Sequence, residues 1–207
     1  MSINVFDQTW RREHARLRAL EDAFDGASIR HLAERGVGAG WRCLEVGCGA
    51  GSVARWLAER VGASGRVLAT DLDLRFLADH GRGNLEVQRH NILTDPLEEG
   101  TFDLVHERAL LVHVPGRQRA LKHMVAAVRP GGWVVAEDPD HGGAMIPALG
   151  RYVDPPEHAE LWERVLHGLD GLFTFRRPWP APAWSPTGRS SVSWSCSGNP
   201  RSATCRS

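Results

Sequence analysis

The chain has 207 residues, and its 25 Lys and Arg balance its 25 Asp and Glu, so the formal net charge is zero. Hydrophobic residues make up 42% of the sequence, which is enough for a folded core and excludes wholesale disorder. A neutral chain lacks the basic surface that nucleic-acid-binding proteins need. The sequence holds no apolar run of about 18 residues that could cross a membrane. Because the N-terminal segment is also too polar for a signal peptide, we expect a cytoplasmic protein.

The zero charge is the sum of two unlike segments. Residues 176–207 hold five Arg and no Asp or Glu, so residues 1–175 hold 20 basic against 25 acidic residues, a net charge of −5. The four cysteines show no CxxC pair, and we therefore expect neither a disulfide framework nor a metal site.

Short apolar runs alternate with helical patterns along most of the chain, beginning with helical patterns near the N-terminus. Strand patterns cover residues 42–46, 66–70, 84–89, 102–105 and 133–136, and helical patterns cover residues 8–21, 27–34, 52–61, 74–79, 118–128 and 157–169. This alternation predicts a doubly wound α/β fold, with a parallel sheet between two layers of helices in a three-layer αβα arrangement. Such sheets bind ligands beyond the carboxyl ends of their strands.

A glycine-rich loop follows the first predicted strand. The segment Glu45-Val46-Gly47-Cys48-Gly49-Ala50-Gly51 leads directly into the helix that begins at Ser52. Glycines permit left-handed turns and a close approach of a ligand to the backbone, and the free N–H groups of the helix face that ligand. A plain strand–helix turn is the simpler alternative. A dinucleotide site would require a third glycine at position 52, where this chain has Ser52.

With this loop the sequence resembles the class I S-adenosylmethionine-dependent methyltransferases, in particular the broad group of small-molecule enzymes that carry a generic methyltransferase domain. The resemblance extends over about residues 6–170. Four later blocks contribute to it, namely VLATDLD, the NIL segment, TFDLVHERALLVHVP and VRPGGWVVAEDPD. It implies a Rossmann-like sheet and S-adenosylmethionine as the cofactor.

The resemblance assigns cofactor-binding roles to the glycine loop and to the end of the second strand. Gly47 and Gly49 would lie under the methionine part, within a loop completed by Cys48 and Gly51, and Glu45 would orient the loop and the ligand's amino group. Asp71 would accept hydrogen bonds from the ribose diol, and Leu72 would pack on the adenine. Asp71 could instead cap the following helix, and Glu45 could be a surface carboxylate.

Further roles fall after the third and fourth strands. The family usually places Asp after the third strand to accept from the adenine amino group, whereas this chain has Asn91 followed by Ile92. An amide oxygen still accepts that bond without charge assistance, at an expected loss of roughly 1 kcal/mol. Asn91 could equally be a turn residue. Glu107 could face the methionine end of the cofactor.

Methyl transfer needs few catalytic groups from the protein, because the sulfonium methyl is already activated. Alignment of the acceptor with this methyl group supplies most of the rate enhancement. A base is needed only for an acceptor that carries a proton. His106, His113 and His141 are weak candidates, and for each a structural role is the more common alternative.

Residues 176–207 differ from the rest of the chain. This tail has eight Ser, five Pro and three Trp, and we expect it to be irregular. The family normally ends with two more strands, so the sheet is expected to lack its last two strands. A reading-frame shift near residues 173–178 would explain the change. The predicted division is therefore N-terminal helices over 1–40, a cofactor-binding domain over 41–175 and the tail over 176–207.

The sequence thus predicts an enzyme that transfers a methyl group to a small molecule, with no nucleic-acid or membrane partner. Two alternatives remain. An NAD(P)-dependent oxidoreductase is disfavoured by the glycine spacing and by the absence of a Tyr/Lys pair, since Tyr152 and Lys122 are the only residues of their types. A non-catalytic cofactor-binding remnant is the other.

Overall fold

The computed structural model describes residues 13–77, 81–139, 192–197 and 204–206. Three α-helices are present among them, α1 (Glu13–Glu34), α2 (Ser52–Val61) and α3 (Arg117–Ala127). The strands are β1 (Arg42–Val46), β2 (Arg66–Asp71), β3 (Leu85–Arg89), β4 (Phe102–Arg108), β5 (Val128–Glu137), β6 (Val192–Ser197) and β7 (Thr204–Arg206). Among these residues, no helix has both the length and the apolar character that a membrane span requires.

The strands form one sheet in the order β3-β2-β1-β4-β5-β6-β7, and the first five strands are parallel. This confirms the doubly wound α/β fold. The strand order reverses between β1 and β4, which therefore flank the crevice where such sheets bind ligands. In the register of these two strands, Glu45 lies beside His106.

Each face of the sheet packs against its own apolar cluster. Cys43 and Leu104 point to the face covered by α2, whose residues Val53 and Leu57 are buried at helical spacing. The opposite face packs on α3 through a second cluster that includes Met124. Residues two apart on a strand point to the same face of the sheet. Each polar residue at the carboxyl end of β1, β4 or β5 therefore lies on the same face as the residue two positions before it.

The N-terminal helix is one element rather than the two predicted over residues 8–21 and 27–34. Within the described residues α1 runs without a break from Glu13 to Glu34, across Gly26. Glycine in a helix costs only about 1 kcal/mol, which the docking of the surrounding side chains offsets. The helix predicted over 74–79 is also absent as far as residue 77, because residues 75–77 form a turn.

The sheet continues beyond β5 with two short strands from the tail, β6 and β7. Whether the chain lacks the two strands with which the family normally ends stays a prediction. Strand β6 pairs antiparallel with β5, and β7 pairs antiparallel with β6. The sequence Val-Ser-Trp-Ser-Cys-Ser of β6 alternates apolar and polar residues strictly, which is a strand signal that composition alone conceals. Whether the tail arises from a frame shift stays a prediction.

The chain divides into two compact units, one of residues Met1–Glu137 and Ser191–Ser207 and the other of residues Asp138–Ser190. Every helix and strand described above belongs to the first unit. The helix predicted over 157–169 lies outside the described residues. The division at residues 40 and 175 stays a prediction.

Candidate functional site

The loop between β1 and α2 has the conformation that its glycines predict. Gly47, Gly49 and Gly51 have φ angles of 72°, 55° and 83°, in the left-handed region that favours glycine. A Cβ on Gly51 would lie 2.3 Å from Leu77 Cδ1. The Gly47 N–H donates to the carbonyl of Thr70 at 2.7 Å, which ties the loop to the end of β2. The loop is therefore a fixed cradle at the carboxyl edge of the sheet.

Asp71 lies beside this cradle at the end of β2. Its Oδ2 accepts from the Gly49 N–H at 2.9 Å, and its Oδ1 accepts from the Asp73 N–H at 3.1 Å. Burial raises the pKa of Asp71, and these backbone donors counteract the increase. Each carboxylate oxygen keeps a lone pair for another donor. The neighbouring Leu72 is 52% exposed, an apolar surface that a flat ligand would cover.

A pocket opens between α1, the glycine loop and the ends of β1 and β4. Glu45 lies in its wall and is only 3% exposed. Burial, together with the nearby carboxylates of Asp71 and Glu45, raises the pKa of the Cys48 thiol, which therefore stays protonated at neutral pH. The lining residues are Leu17, Leu20, Glu21, Phe24, Glu45, Gly47, Cys48, Gly49, Ala50, Ser52, Val53, Arg108 and Ala109.

Helix α1 docks on this edge through polar side chains. Glu21 accepts from the Ser52 N–H at 3.0 Å, so a carboxylate lies at the N-terminus of α2, where the helix dipole favours an anion. Asp25, one turn further along α1, accepts from Ser52 Oγ at 2.9 Å and from Arg108 Nη1 at 2.8 Å. The buried side of α1 is polar because the groups that it meets are polar.

A chain of hydrogen bonds crosses the strand ends beneath the pocket. His106 is fully buried, and its Nδ1 lies 2.6 Å from Glu45 Oε2 while its Nε2 lies 3.1 Å from Glu137 Oε2. Glu137 Oε1 lies 2.6 Å from Nδ1 of His31 on α1. Burial by itself lowers the pKa of His106, but the two carboxylates outweigh it and raise the pKa to about 10. Burial raises the pKa of Glu137, whereas His106 lowers it to about 2.

Asn91 forms a turn after β3. Its Oδ1 accepts from the Leu93 N–H at 3.0 Å, and its own N–H donates to Asp95 Oδ2 at 2.8 Å. The N–H of Asn91 is also the main cause that lowers the pKa of Asp95. Ile92 is 6% exposed and belongs to the apolar cluster under α3. These hydrogen bonds fix the Asn91 side chain, and its amide oxygen retains one lone pair for a ligand.

Glu107, His106 and His113 do not line the pocket. Glu107 is fully buried, and its Oε2 accepts from the N–H groups of Leu110 at 3.0 Å and Leu111 at 3.4 Å, so it anchors a turn. His113 ends the 3₁₀ turn Leu111–His113. Both ring nitrogens of His106 are within hydrogen-bond distance of carboxylates, so neither faces the pocket in this arrangement. His141 lies outside the described residues.

The structure brings Glu45, Gly47, Cys48 and Gly49 together in one pocket, with Asp71 hydrogen-bonded to that loop. Sequence reasoning missed the pocket residues on α1 and the hydrogen-bonded chain through His106. The only available signal was that Glu21, Asp25 and Ser28 recur at helical spacing, which is ambiguous because a solvated face has the same pattern.

Comparison with known proteins agrees with this geometry. Residues 44–136 match the family model described as a methyltransferase domain. This part of the chain is therefore similar to a methyltransferase domain. A methyltransferase of Strobilurus tenacellus, str2, is 32% identical over 134 residues, covering 64% of this chain and 48% of its own length. The methyltransferase GfsG of Streptomyces halstedii is 29% identical, covering 55% of this chain and 48% of its own length.

The fold of the methyltransferase domain recurs in a solved structure. A S-adenosylmethionine-dependent methyltransferase from Aquifex aeolicus matches with a TM-score of 0.55 and 21% identity, over 78% of this chain and 88% of that one. This likeness concerns the fold alone. The chain spans about half the length of the curated relatives that it matches first.

Proposed function

We propose that this protein binds S-adenosylmethionine and transfers its methyl group to a small-molecule nucleophile. The observation that supports this most is the joint placement of a left-handed glycine cradle, a carboxylate hydrogen-bonded to it at the end of β2, and a second carboxylate, Glu45, in the pocket. These groups lie at the edge of the sheet where the strand order reverses, which is where doubly wound folds hold nucleotides.

The residues present fit the cofactor. Gly47 and Gly49 have positive φ angles that disfavour other residues, and a Cβ there would lie 3.1 Å from Leu110 Cδ1 and 3.3 Å from Leu17 Cδ2 respectively, so a larger residue would crowd the cradle. Asp71 would hold the ribose hydroxyls, Leu72 would cover the adenine, and Glu45 would accept from the amino group. Asn91 and Ile92 would meet the far edge of the adenine, whereas Glu107 would act through the turn that it anchors.

When bound, S-adenosylmethionine supplies a methyl group on a positively charged sulfur, which is already electrophilic. The protein then has to align an acceptor and keep competing water out. The apolar residues of α1 that line the pocket, Leu17, Leu20 and Phe24, would do the second task. His113 and His141 stay the candidates for a base where the acceptor carries a proton.

We further infer a cytoplasmic enzyme without a nucleic-acid or membrane partner. The net charge of −5 over residues 1–175 supports the first exclusion, because phosphate backbones bind basic surfaces. Among the described residues no helix could span a membrane.

The test is transfer of the radiolabelled methyl group from S-adenosylmethionine to a panel of small-molecule alcohols, phenols, amines, thiols and carbon acids. The proposal expects label in at least one acceptor and stoichiometric release of S-adenosylhomocysteine. Asp71→Asn serves as the binding-deficient control. Tight binding of the cofactor with no transfer to any class of acceptor would favour a non-catalytic protein instead.

A further inference from the structure

We propose that His106 is a positioning residue, which holds Glu45 in its ligand-binding orientation and links it through Glu137 to helix α1. The inference rests on the proposed function, because it concerns the carboxylate assigned to the cofactor's amino group. It differs from the role first considered for His106, which was that of a catalytic base.

The geometry begins with the register of the sheet. Glu45 and His106 are neighbours on adjacent parallel strands, so their side chains lie on the same face. The bond from His106 Nδ1 uses Oε2 of Glu45, which leaves Oε1 for a ligand in the pocket that Glu45 lines. A carboxylate with one oxygen fixed by a buried ring loses little orientational freedom when a ligand binds.

The charges of the cluster agree with this arrangement. His106 faces the carboxylate of Glu45 from β1 and that of Glu137 from β5, and Glu137 in turn contacts His31 from α1. Each ring nitrogen of His106 faces a carboxylate oxygen, and only the doubly protonated imidazolium can donate to both. A cation in this position offsets the charge of the carboxylates that lie beside it.

The link to α1 gives the cluster a second task. The bond between Glu137 and His31 joins the strand ends to the same helix whose Leu17, Leu20 and Phe24 line the pocket. Because His106 contacts Glu45 with one nitrogen and Glu137 with the other, a single side chain links the Glu45 carboxylate to one of the contacts that dock α1.

The experiment compares S-adenosylhomocysteine binding by calorimetry between pH 6 and 8.5 in the full chain and in His106→Gln. In His106→Gln, Glu45 and Glu137 face one another without a cation, so the pair retains a proton at the lower pH values. We expect affinity to fall by about tenfold or more at pH 6 and to recover towards pH 8.5, whereas the wild-type profile is flat.

A second substitution separates positioning from simple loss of structure. Adding Glu137→Gln to His106→Gln removes the competing carboxylate, so the double variant should bind more tightly than the single variant at pH 6. Asp103→Asn, at the opposite end of β4, is the matched control and should leave the profile flat. An equal loss at every pH, or no rescue, would overturn the inference.

One readout needs no variant of His106 and covers the case in which that variant does not fold. In wild-type protein labelled with ¹⁵N-histidine, one histidine should show two protonated ring nitrogens at pH 8, and Glu137→Gln should shift its signals. No doubly protonated histidine at pH 8 overturns the inference. Failure of the wild-type chain to bind S-adenosylhomocysteine would overturn the proposed function itself, whereas normal binding with unaltered behaviour of His106→Gln would overturn this inference alone.

Discussion

At the residue scale, cofactor binding should depend most on Asp71, whose carboxylate is hydrogen-bonded to the glycine cradle. Asp71→Asn should weaken S-adenosylmethionine binding by at least about tenfold, because charge-assisted hydrogen bonds to two hydroxyls contribute roughly 1.5–3 kcal/mol each. Calorimetric titration measures the loss. Asp73→Asn is the matched control, since the Asp73 carboxylate bonds to Arg75 and should leave affinity within about twofold of wild type. Equal affinities for the two variants would contradict the assignment.

The sequence could predict the cradle but not the side chains that support it. The residue type alone predicts a left-handed backbone at Gly47, Gly49 and Gly51, and the structure confirms it. The pairing of Glu45 with His106 bridges 61 residues of chain and depends on strand register, which local patterns do not encode. For this reason His106 was interpreted as a possible base, whereas it is a buried partner of two carboxylates.

At the element scale, two glycines in different contexts should respond in opposite directions to alanine. Gly26 lies inside α1, and a Cβ there would meet nothing within 4 Å, so Gly26→Ala should raise the free energy of unfolding by about 0.5–1 kcal/mol. Gly51→Ala should lower it, because φ is 83° and the Cβ would collide with Leu77. Denaturant unfolding of both variants measures the two signs. A destabilising Gly26→Ala would show that α1 is not a continuous helix.

Elements with strong local periodicity were predicted almost to the residue, and those with polar ends were not. The predicted bounds of β1 and α2 coincide with the structure, because each is a regular apolar pattern between glycines. Strand β4 was expected to end at Val105 but continues to Arg108, since His106 and Glu107 are polar residues buried by tertiary hydrogen bonds. The sequence pattern divides α1 into helices over residues 8–21 and 27–34, for the related reason that polar side chains dock it on the sheet.

At the scale of the whole molecule, the buried histidine links stability to pH. The pKa of His106 is raised from 6.5 to about 10 in the folded chain, so its stabilising contribution is complete below pH 6.5 and is lost as pH rises towards 10. The unfolding free energy of the wild type should therefore fall between pH 6.5 and 8.5, by up to about 1.4 kcal/mol per pH unit. The melting temperature should fall with it. The double variant with His106→Gln and Glu137→Gln, which has neither the imidazolium nor the second carboxylate, should melt lower than the wild type at pH 6.5 but with a flatter profile. Parallel profiles would contradict the assigned charge.

The tail presents a separate question at the same scale. Its composition predicts a frame shift near residues 173–178, and the two short strands β6 and β7 that it contributes leave this open. Sequencing the coding DNA beyond residue 170 tests the hypothesis. An alternative frame that encodes an apolar, acid-balanced C-terminus would support it, and a chain restored to that frame should melt at a higher temperature. Absence of such a frame would refute the hypothesis.

The central claim is that the cradle binds S-adenosylmethionine rather than a dinucleotide. Calorimetric titration of the full wild-type chain with S-adenosylmethionine, S-adenosylhomocysteine and NAD tests it most directly. We expect saturable binding of the first two ligands at a single shared site, competition between them, and no heat of binding with NAD. Saturable binding of NAD without binding of either sulfur-containing ligand would contradict it.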